Sequence, residues 1–126
     1  MYSYTPQGDR PDAPYMQITL INPVVPQHRV TCSALLDTGA DSTFVPTKFL
    51  KSLVVKAYGR PNTFKGFCGS GESVPYIVSV SMDQRAINHN PIRVWSWNEK
   101  FVLVGRDILN QFCIEFNGLD QFFLVK

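Results

Sequence analysis

Residues 34–46, ALLDTGADSTFVP, decide the fold of this chain, because an apolar run ends abruptly there at Asp37-Thr38-Gly39. Just upstream, Val30, Cys32 and Ala34 alternate with polar residues, which is the period-two pattern of a half-buried strand. The strand is therefore predicted to enter the core and to deliver Asp37 at its end. Burying a carboxylate there is costly unless hydrogen bonds or a second titrating group compensate.

Taken alone, Asp37-Thr38-Gly39 also fits an ordinary turn, in which Asp accepts local hydrogen bonds and Gly supplies an unusual φ. The apolar approach Ala34-Leu35-Leu36 argues against that interpretation, since an ordinary turn needs no buried strand leading into it. We therefore expect a functional role for Asp37.

Composition indicates one globular domain. The chain has 126 residues, of which 44% are hydrophobic and 17% charged, and its net charge is +2. No Lys/Arg cluster is present, so no nucleic-acid partner is predicted. Three cysteines lack CxxC spacing and His28 and His89 are isolated, which predicts no metal site. Without an apolar leader or an 18-residue apolar run, the chain is expected to be soluble, not secreted and not inserted in a membrane.

The remaining sequence predicts an all-β barrel or sandwich of eight or nine short strands with one or two short helices. Residues 1–14 hold three prolines and are expected to form a flexible arm, so the domain spans 15–126. Strand patterns begin at YMQITLIN (15–22), and the last pair surrounds an Asn-Gly turn at 117–118. The glycine-rich centre 66–71 predicts a hairpin; it lacks the spacing of a dinucleotide fingerprint. RDILNQF (106–112) has helical spacing.

Two segments resemble the signatures of the retropepsins, the retroviral-type aspartic proteases. ALLDTGADSTFVP is similar to their active-site segment, and FVLVGRDILNQF (101–112) is similar to their second signature, with the glycine-rich hairpin between them. The resemblance covers nearly all of 15–126. It implies a single-lobe acid-protease barrel with one short C-terminal helix. It also implies a two-fold homodimer in the cytoplasm or a viral particle, because the chain carries a single Asp-Thr-Gly.

The same resemblance implies an aspartic endopeptidase that needs no metal or other cofactor. Asp37 and its symmetry mate would activate a water that hydrolyses a peptide bond. Thr38 would hydrogen-bond across the dimer axis, and Gly39 would let its N–H approach the carboxylates. Asp41 would bind substrate backbone and form a structural ion pair with Arg106. For Arg106-Asp107, the alternative is a solvated helix start with Asp107 near the N-terminus.

The expected substrate is an extended peptide or a polyprotein. Apolar walls are expected from Leu35, Val45, Phe67, Val102 and Val104. Residues 67–72 would form the tip of a flap, with substrate contacts from Phe67, Gly69, Ser70 and Gly71. A plain surface hairpin is the alternative. An exposed Cys68 on that tip would make activity sensitive to oxidation.

The C-terminal extension GLDQFFLVK (118–126) is predicted to fold back as a hairpin. Relatives with long C-termini use them between subunits, so Phe116, Phe122 and Leu124 are expected to bury apolar surface in the dimer. The alternative is a hairpin that packs on its own barrel.

Two rival functions stay open at this point. The first is a catalytically idle retropepsin-fold module for dimerisation or peptide binding, which the intact Asp-Thr-Gly argues against. The second is a small β-barrel that binds a ligand through Trp95 and Trp97, although these side chains suit a barrel wall better.

Overall fold

The computed structural model describes residues 1–66 and 69–126. Its strands are β1 (Tyr2–Ser3), β2 (Thr5–Gln7), β3 (Arg10–Ala13), β4 (Tyr15–Ile21), β5 (Arg29–Leu36), β6 (Phe44–Pro46), β7 (Asn62–Gly66), β8 (Gly69–Ser73), β9 (Pro75–Met82), β10 (Arg85–Ala86), β11 (Ile92–Trp97), β12 (Val102–Val104), β13 (Ile114–Asn117) and β14 (Phe122–Val125). Its helices are α1 (Thr47–Leu53) and α2 (Arg106–Leu109). Within the described ranges, no helix is long and apolar enough to cross a membrane.

Six strands close into a barrel in the order β9-β11-β6-β12-β5-β4, because β4 also pairs with β9. β10 lies beside β9 on the outside of this ring. Closure leaves the barrel strands without free edges, which is how small antiparallel proteins avoid unpaired backbone groups. The predicted all-β, single-lobe barrel with short helices is confirmed.

Alternating burial along the strands fills the barrel as the sequence pattern indicated. Along β4 the side chains of Met16, Ile18 and Leu20 are buried, and along β5 those of Cys32 and Leu36 are buried, while intervening residues are partly or fully exposed. Period-two burial is expected for strands with one face on the core. Helix α1 adds its two buried leucines to the same cluster.

Strand β12 organises the centre of the barrel. It pairs in parallel with β5, and the last residues of the two strands, Val104 and Leu36, lie opposite each other. On its other side β12 meets β6, where Leu103 lies opposite Phe44. β5 and β12 therefore end at the same level of the barrel. The residues that follow them, which belong to the two sequence signatures, lie side by side.

The N-terminal arm carries regular structure, which differs from the expectation of a flexible arm. β1 pairs with β14, and β2 pairs with β3 as a hairpin. The Tyr2 ring stacks on Phe123 with 5.2 Å between ring centroids, and the Tyr2 hydroxyl donates a hydrogen bond to Asp83. Pro6 and Pro11 interrupt any strand-like alternation of apolar and polar residues in this segment. Its structure is instead stabilised by contacts of aromatic rings with residues that lie far away in the sequence. The division at residue 15 stays a prediction.

The C-terminal hairpin packs on its own barrel through one face. Phe123 is fully buried in the core, and Phe116, its cross-strand neighbour, lies on the same face at 6.1 Å between ring centroids. Phe116 nevertheless keeps 39% of its surface exposed, so its predicted burial between subunits stays a prediction. Phe122 and Leu124 lie on the opposite, partly exposed face, where the predicted contact with a partner stays a prediction.

Replacing Phe123 tests this packing. We expect Phe123→Ala to lower the free energy of unfolding by about 3–5 kcal/mol, because it removes a fully buried ring and leaves a cavity. Phe122→Ala, one position away on the outer face, should cost less than half as much. Urea unfolding of both variants at one protein concentration measures this. Equal losses would contradict the proposed orientation of the hairpin.

Candidate active site

The two signature segments meet at the ends of β5 and β12. The Asp37 N–H donates to the Val104 carbonyl at 3.0 Å, and the Arg106 N–H donates to the Ala40 carbonyl at 2.8 Å. These backbone bonds fix the loop 37–43 against the start of α2. The structure thus brings together two segments that lie far apart in the sequence.

The Asp37 side chain is half-buried and is oriented by its own loop. Its Oδ1 accepts a hydrogen bond from the Gly39 N–H at 2.8 Å. A Cβ added to Gly39 would lie 3.1 Å from that oxygen, so a larger residue would crowd the carboxylate. Gly39 does not have a positive φ in the structure. Its glycine is therefore explained by the close approach to Asp37 and not by a left-handed turn.

Thr38 is exposed and its carbonyl is held by Arg106, whose Nη1 donates to it at 2.8 Å. The predicted ion pair of Arg106 with Asp41 is not among the ion pairs of residues 1–66 and 69–126. The reason is that the guanidinium reaches back to the loop carbonyl instead. Asp41 is exposed at the loop surface.

Gly105 allows the two segments to touch. A Cβ built on it would lie 2.5 Å from the Ser42 carbonyl oxygen and 2.9 Å from the Ser42 nitrogen. Both contacts are with backbone, which cannot rotate away as a long side chain would. A residue with a side chain at position 105 would therefore push the loop 37–43 away from β12.

Asp107 is a half-buried anchor that the sequence interpretation missed. Its carboxylate accepts hydrogen bonds from the Thr43 hydroxyl at 2.7 Å, the Thr43 N–H at 3.0 Å and the Ile108 N–H at 2.9 Å. The fully buried Thr43 hydroxyl also accepts from the Gly105 N–H at 3.1 Å. Burial raises the pKa of Asp107 above its ordinary value, while these hydrogen bonds act in the opposite direction. Asp107 does lie in the first turn of α2, as the alternative interpretation expected, but its half-buried carboxylate is hydrogen-bonded to Thr43 and is not fully solvated.

Three apolar side chains form a row next to Asp37. Leu35 lies opposite Leu103, and Leu103 lies opposite Phe44, so the three share one face of the sheet; we call them the Leu35 row. The predicted walls Val45, Val102 and Val104 are instead fully buried in the barrel core. The prediction for these three residues was wrong by one position along the strand. Side chains of a strand point alternately to opposite faces, so the neighbours of a core residue lie on the other face.

Aromatic rings continue the face of the Leu35 row. Trp97 lies 5.5 Å from Phe44 and 5.3 Å from Phe101, measured between ring centroids, and its indole N–H donates to the Phe101 carbonyl at 2.9 Å. Tyr15 packs edge-on against Phe101 at 5.5 Å. Trp97 is therefore held by the barrel wall, as the sequence analysis had allowed.

The glycine-rich hairpin is present as backbone. β7 and β8 pair antiparallel, with Gly66 opposite Gly69, Lys65 opposite Ser70 and Phe64 opposite Gly71. Phe67 and Cys68, at the predicted tip, lie outside the described residues. The predicted substrate contacts of Phe67, Gly69, Ser70 and Gly71 stay predictions.

The architecture is that of the single-lobed, retropepsin-like fold. The chain superposes on the EIAV protease complexed with the inhibitor HBY-793 with a TM-score of 0.59 and 23% sequence identity, over 82% of this chain and 91% of the viral one. No protein-family model and no curated protein sequence matches the chain. At this level of identity the likeness defines the fold, and the activity has to be argued from the site.

The close contact at Gly105 predicts a strong effect of a single methyl group. Gly105→Ala should lower the free energy of unfolding by about 1–3 kcal/mol, since the new Cβ overlaps the Ser42 backbone. Gly118→Ala is the matched control, because a Cβ there meets no atom within 4 Å and should change stability by less than about 0.5 kcal/mol. Chemical denaturation compares the two variants. Equal stability would disprove the contact.

The environment of Asp107 predicts a pH-dependent difference in stability. A pKa raised by folding favours the folded state at low pH, and this contribution is lost as the pH rises through the folded-state pKa. Asp107→Asn keeps an uncharged side chain of the same shape at every pH. The unfolding free energy of the wild type minus that of the variant should therefore fall as the pH rises above about 4. A difference that grows with pH would show that the hydrogen bonds outweigh burial.

Proposed function

We propose that the chain is an aspartic endopeptidase that works as a two-fold homodimer. The observation that carries the proposal is the Asp37 carboxylate, which is oriented by the Gly39 N–H and half-exposed where the two signature segments meet. The same hydrogen bond also closes an ordinary turn, and what distinguishes this carboxylate is its place at the end of β5, beside the start of α2. The retropepsin-like fold supports the same function.

The homodimer follows from the count of acidic motifs. The chain has a single Asp-Thr-Gly, at 37–39, and the proposed chemistry needs two carboxyl groups in contact. Thr38 suits a role at the symmetry axis. It is exposed, its carbonyl is fixed by Arg106, and its hydroxyl makes none of the side-chain hydrogen bonds found in the described part of the chain. In the proposed dimer, Thr38 hydroxyls bond across the axis and align the two loops.

The proposed reaction uses the two Asp37 carboxyl groups as one acid and one base. Like charges about 3 Å apart cannot both be ionised, so the pair shares one proton. The ionised carboxylate takes a proton from water, whose oxygen bonds to the scissile carbonyl carbon while the protonated carboxyl gives its proton to the carbonyl oxygen. As the C–N bond of the tetrahedral intermediate breaks, the protonated carboxyl gives its proton to the amine nitrogen and a hydroxyl of the intermediate returns a proton to the other carboxylate, so the pair again holds one proton. The products are a free carboxyl and a free amino terminus.

The substrate is proposed to be an extended peptide or polyprotein segment. Its apolar side chains would contact Leu35 and Phe44, the partly exposed members of the Leu35 row, and the β7–β8 hairpin would close over it as a flap. Asp41, exposed beside the loop, would accept hydrogen bonds from the substrate backbone.

Replacing Asp37 tests the proposal. Asp37→Asn should reduce peptide hydrolysis by about 100-fold or more, because the amide cannot act as the base, while fold and dimer persist. Asp120→Asn, at an exposed turn, is the control and should keep full activity. Digestion of a peptide library at pH 4 to 7, with and without a statine-type transition-state mimic, measures hydrolysis, and analytical ultracentrifugation measures the dimer.

The outcome also separates the rival function. Cleavage that the mimic blocks and that Asp37→Asn abolishes supports the aspartic mechanism. A folded wild-type dimer that binds peptides but cleaves none would support the idle binding module. Activity that survives in Asp37→Asn would refute the proposed role of Asp37.

A further inference from the structure

An open cleft of about 480 Å³ separates the N-terminal hairpin β2–β3 from the barrel. Its inner wall is formed by Tyr15, Leu35 and Phe101, and its outer wall includes Gln7 and Ala13 of the hairpin. The hairpin is therefore not a passive extension of the fold. It turns one side of the barrel into a concave site.

The cleft begins directly beside the proposed catalytic loop. Leu35 precedes Asp37 by two positions, and the intervening Leu36 is buried, so Leu35 and Asp37 project from the same side of β5. Tyr15 lies opposite Leu35 in the β4–β5 pair. A peptide bound with its scissile bond at Asp37 would thus place a neighbouring side chain over the cleft.

The inner wall of the cleft is fixed by aromatic packing and hydrogen bonds. The Tyr15 and Phe101 rings form a T-shaped pair with 5.5 Å between centroids, and Phe101 is in turn packed on Trp97. The Tyr15 hydroxyl lies 3.5 Å from Gln7 Oε1 across the cleft, towards which it donates a long hydrogen bond. A preorganised apolar wall of this kind binds a side chain without first paying to order itself.

The rim of the cleft carries one charge of each sign. Arg10 and Glu99 both line it, and both act on the Tyr15 hydroxyl electrostatically in opposite directions. Arg10 forms none of the ion pairs found in residues 1–66 and 69–126. Since the two charges offset each other, the rim gives little preference for a charged ligand, and the apolar wall decides what binds.

We propose that the β2–β3 hairpin builds a specificity-determining subsite that takes a large apolar or aromatic side chain of the peptide substrate. The inference rests on the proposed function and names which substrates that site selects. The cleft volume is within the range of side-chain and small-ligand pockets. Tyr15 and Phe101 offer ring edges and faces against which an aromatic side chain packs well. Peptides with a small residue at this position are poor substrates.

Filling the cleft tests the subsite. Ala13→Phe places a ring in the outer wall and should lower kcat/KM at least about 10-fold for peptides with Phe, Tyr or Leu at one substrate position, but much less for peptides with Ala there. Asp9→Ala, in the exposed turn of the same hairpin and outside the cleft lining, is the control and should leave the preference unchanged. A peptide library varied at each position identifies the position affected.

A second variant changes preference without adding bulk. Arg10→Ala, at an exposed position, leaves Glu99 as the rim charge. The same substrate position should then accept Lys or Arg several-fold better than in the wild type. Gain of a new preference cannot result from misfolding, so this variant keeps the test decisive if Ala13→Phe is unstable.

Binding to the Asp37→Asn variant separates the two proposals. Peptides from the library are titrated onto this inactive protein, with and without Ala13→Phe. Cleavage by the wild type with a side-chain preference that neither cleft variant alters would overturn the subsite and leave the endopeptidase in place. Selective binding that Ala13→Phe weakens, without cleavage by any variant, would support the subsite and overturn the proposed reaction. Absence of both binding and cleavage would overturn both.

Discussion

The parallel pairing of β5 and β12 is the constraint on which the candidate site depends. Because Leu36 lies opposite Val104, the chain leaves both strands at one level, and Asp37 emerges beside Gly105 and Arg106. The contact of Gly105 with the Ser42 backbone then sets how closely the two segments approach. Each further feature of the site, from the Gly39 hydrogen bond to the carbonyl held by Arg106, requires this approach.

The buried Thr43 and the half-buried Asp107 stabilise the loop after Asp37. The Thr43 hydroxyl links Gly105 and Asp107, and the Asp107 carboxylate accepts hydrogen bonds from both the hydroxyl and the N–H of Thr43. Burying a carboxyl group is unfavourable, and its raised pKa reports that cost. The benefit is geometric, since a loop fixed at its far end holds Asp37 in one orientation. Precise placement by a supporting layer is what the proposed catalytic role of Asp37 requires.

Alternating sequence patterns gave most of the barrel but not the orientation of every side chain. β4 and β5 have clear alternation, and their predicted extents and buried faces were right. The run Val102-Leu103-Val104 is apolar throughout, so its phase is set by pairing with β5 and β6, which no local pattern reveals. The same absence of local signal explains why Leu103 and Phe44 were missed. The one local indication for Phe44 was the alternation along TFVP, in which a buried Val45 implies that Phe44 faces the opposite side of the strand.

Side-chain partners distant in sequence were predicted least well. Arg106 was expected to bind Asp41 and instead holds the Thr38 carbonyl, at a separation of 68 positions. That separation also bears on how the protein forms. Contacts between remote segments carry a loop-closure cost and slow folding. A nascent chain that has not yet released residues 102–109 therefore lacks the Val104 and Arg106 partners that the Asp37 loop has in the folded protein.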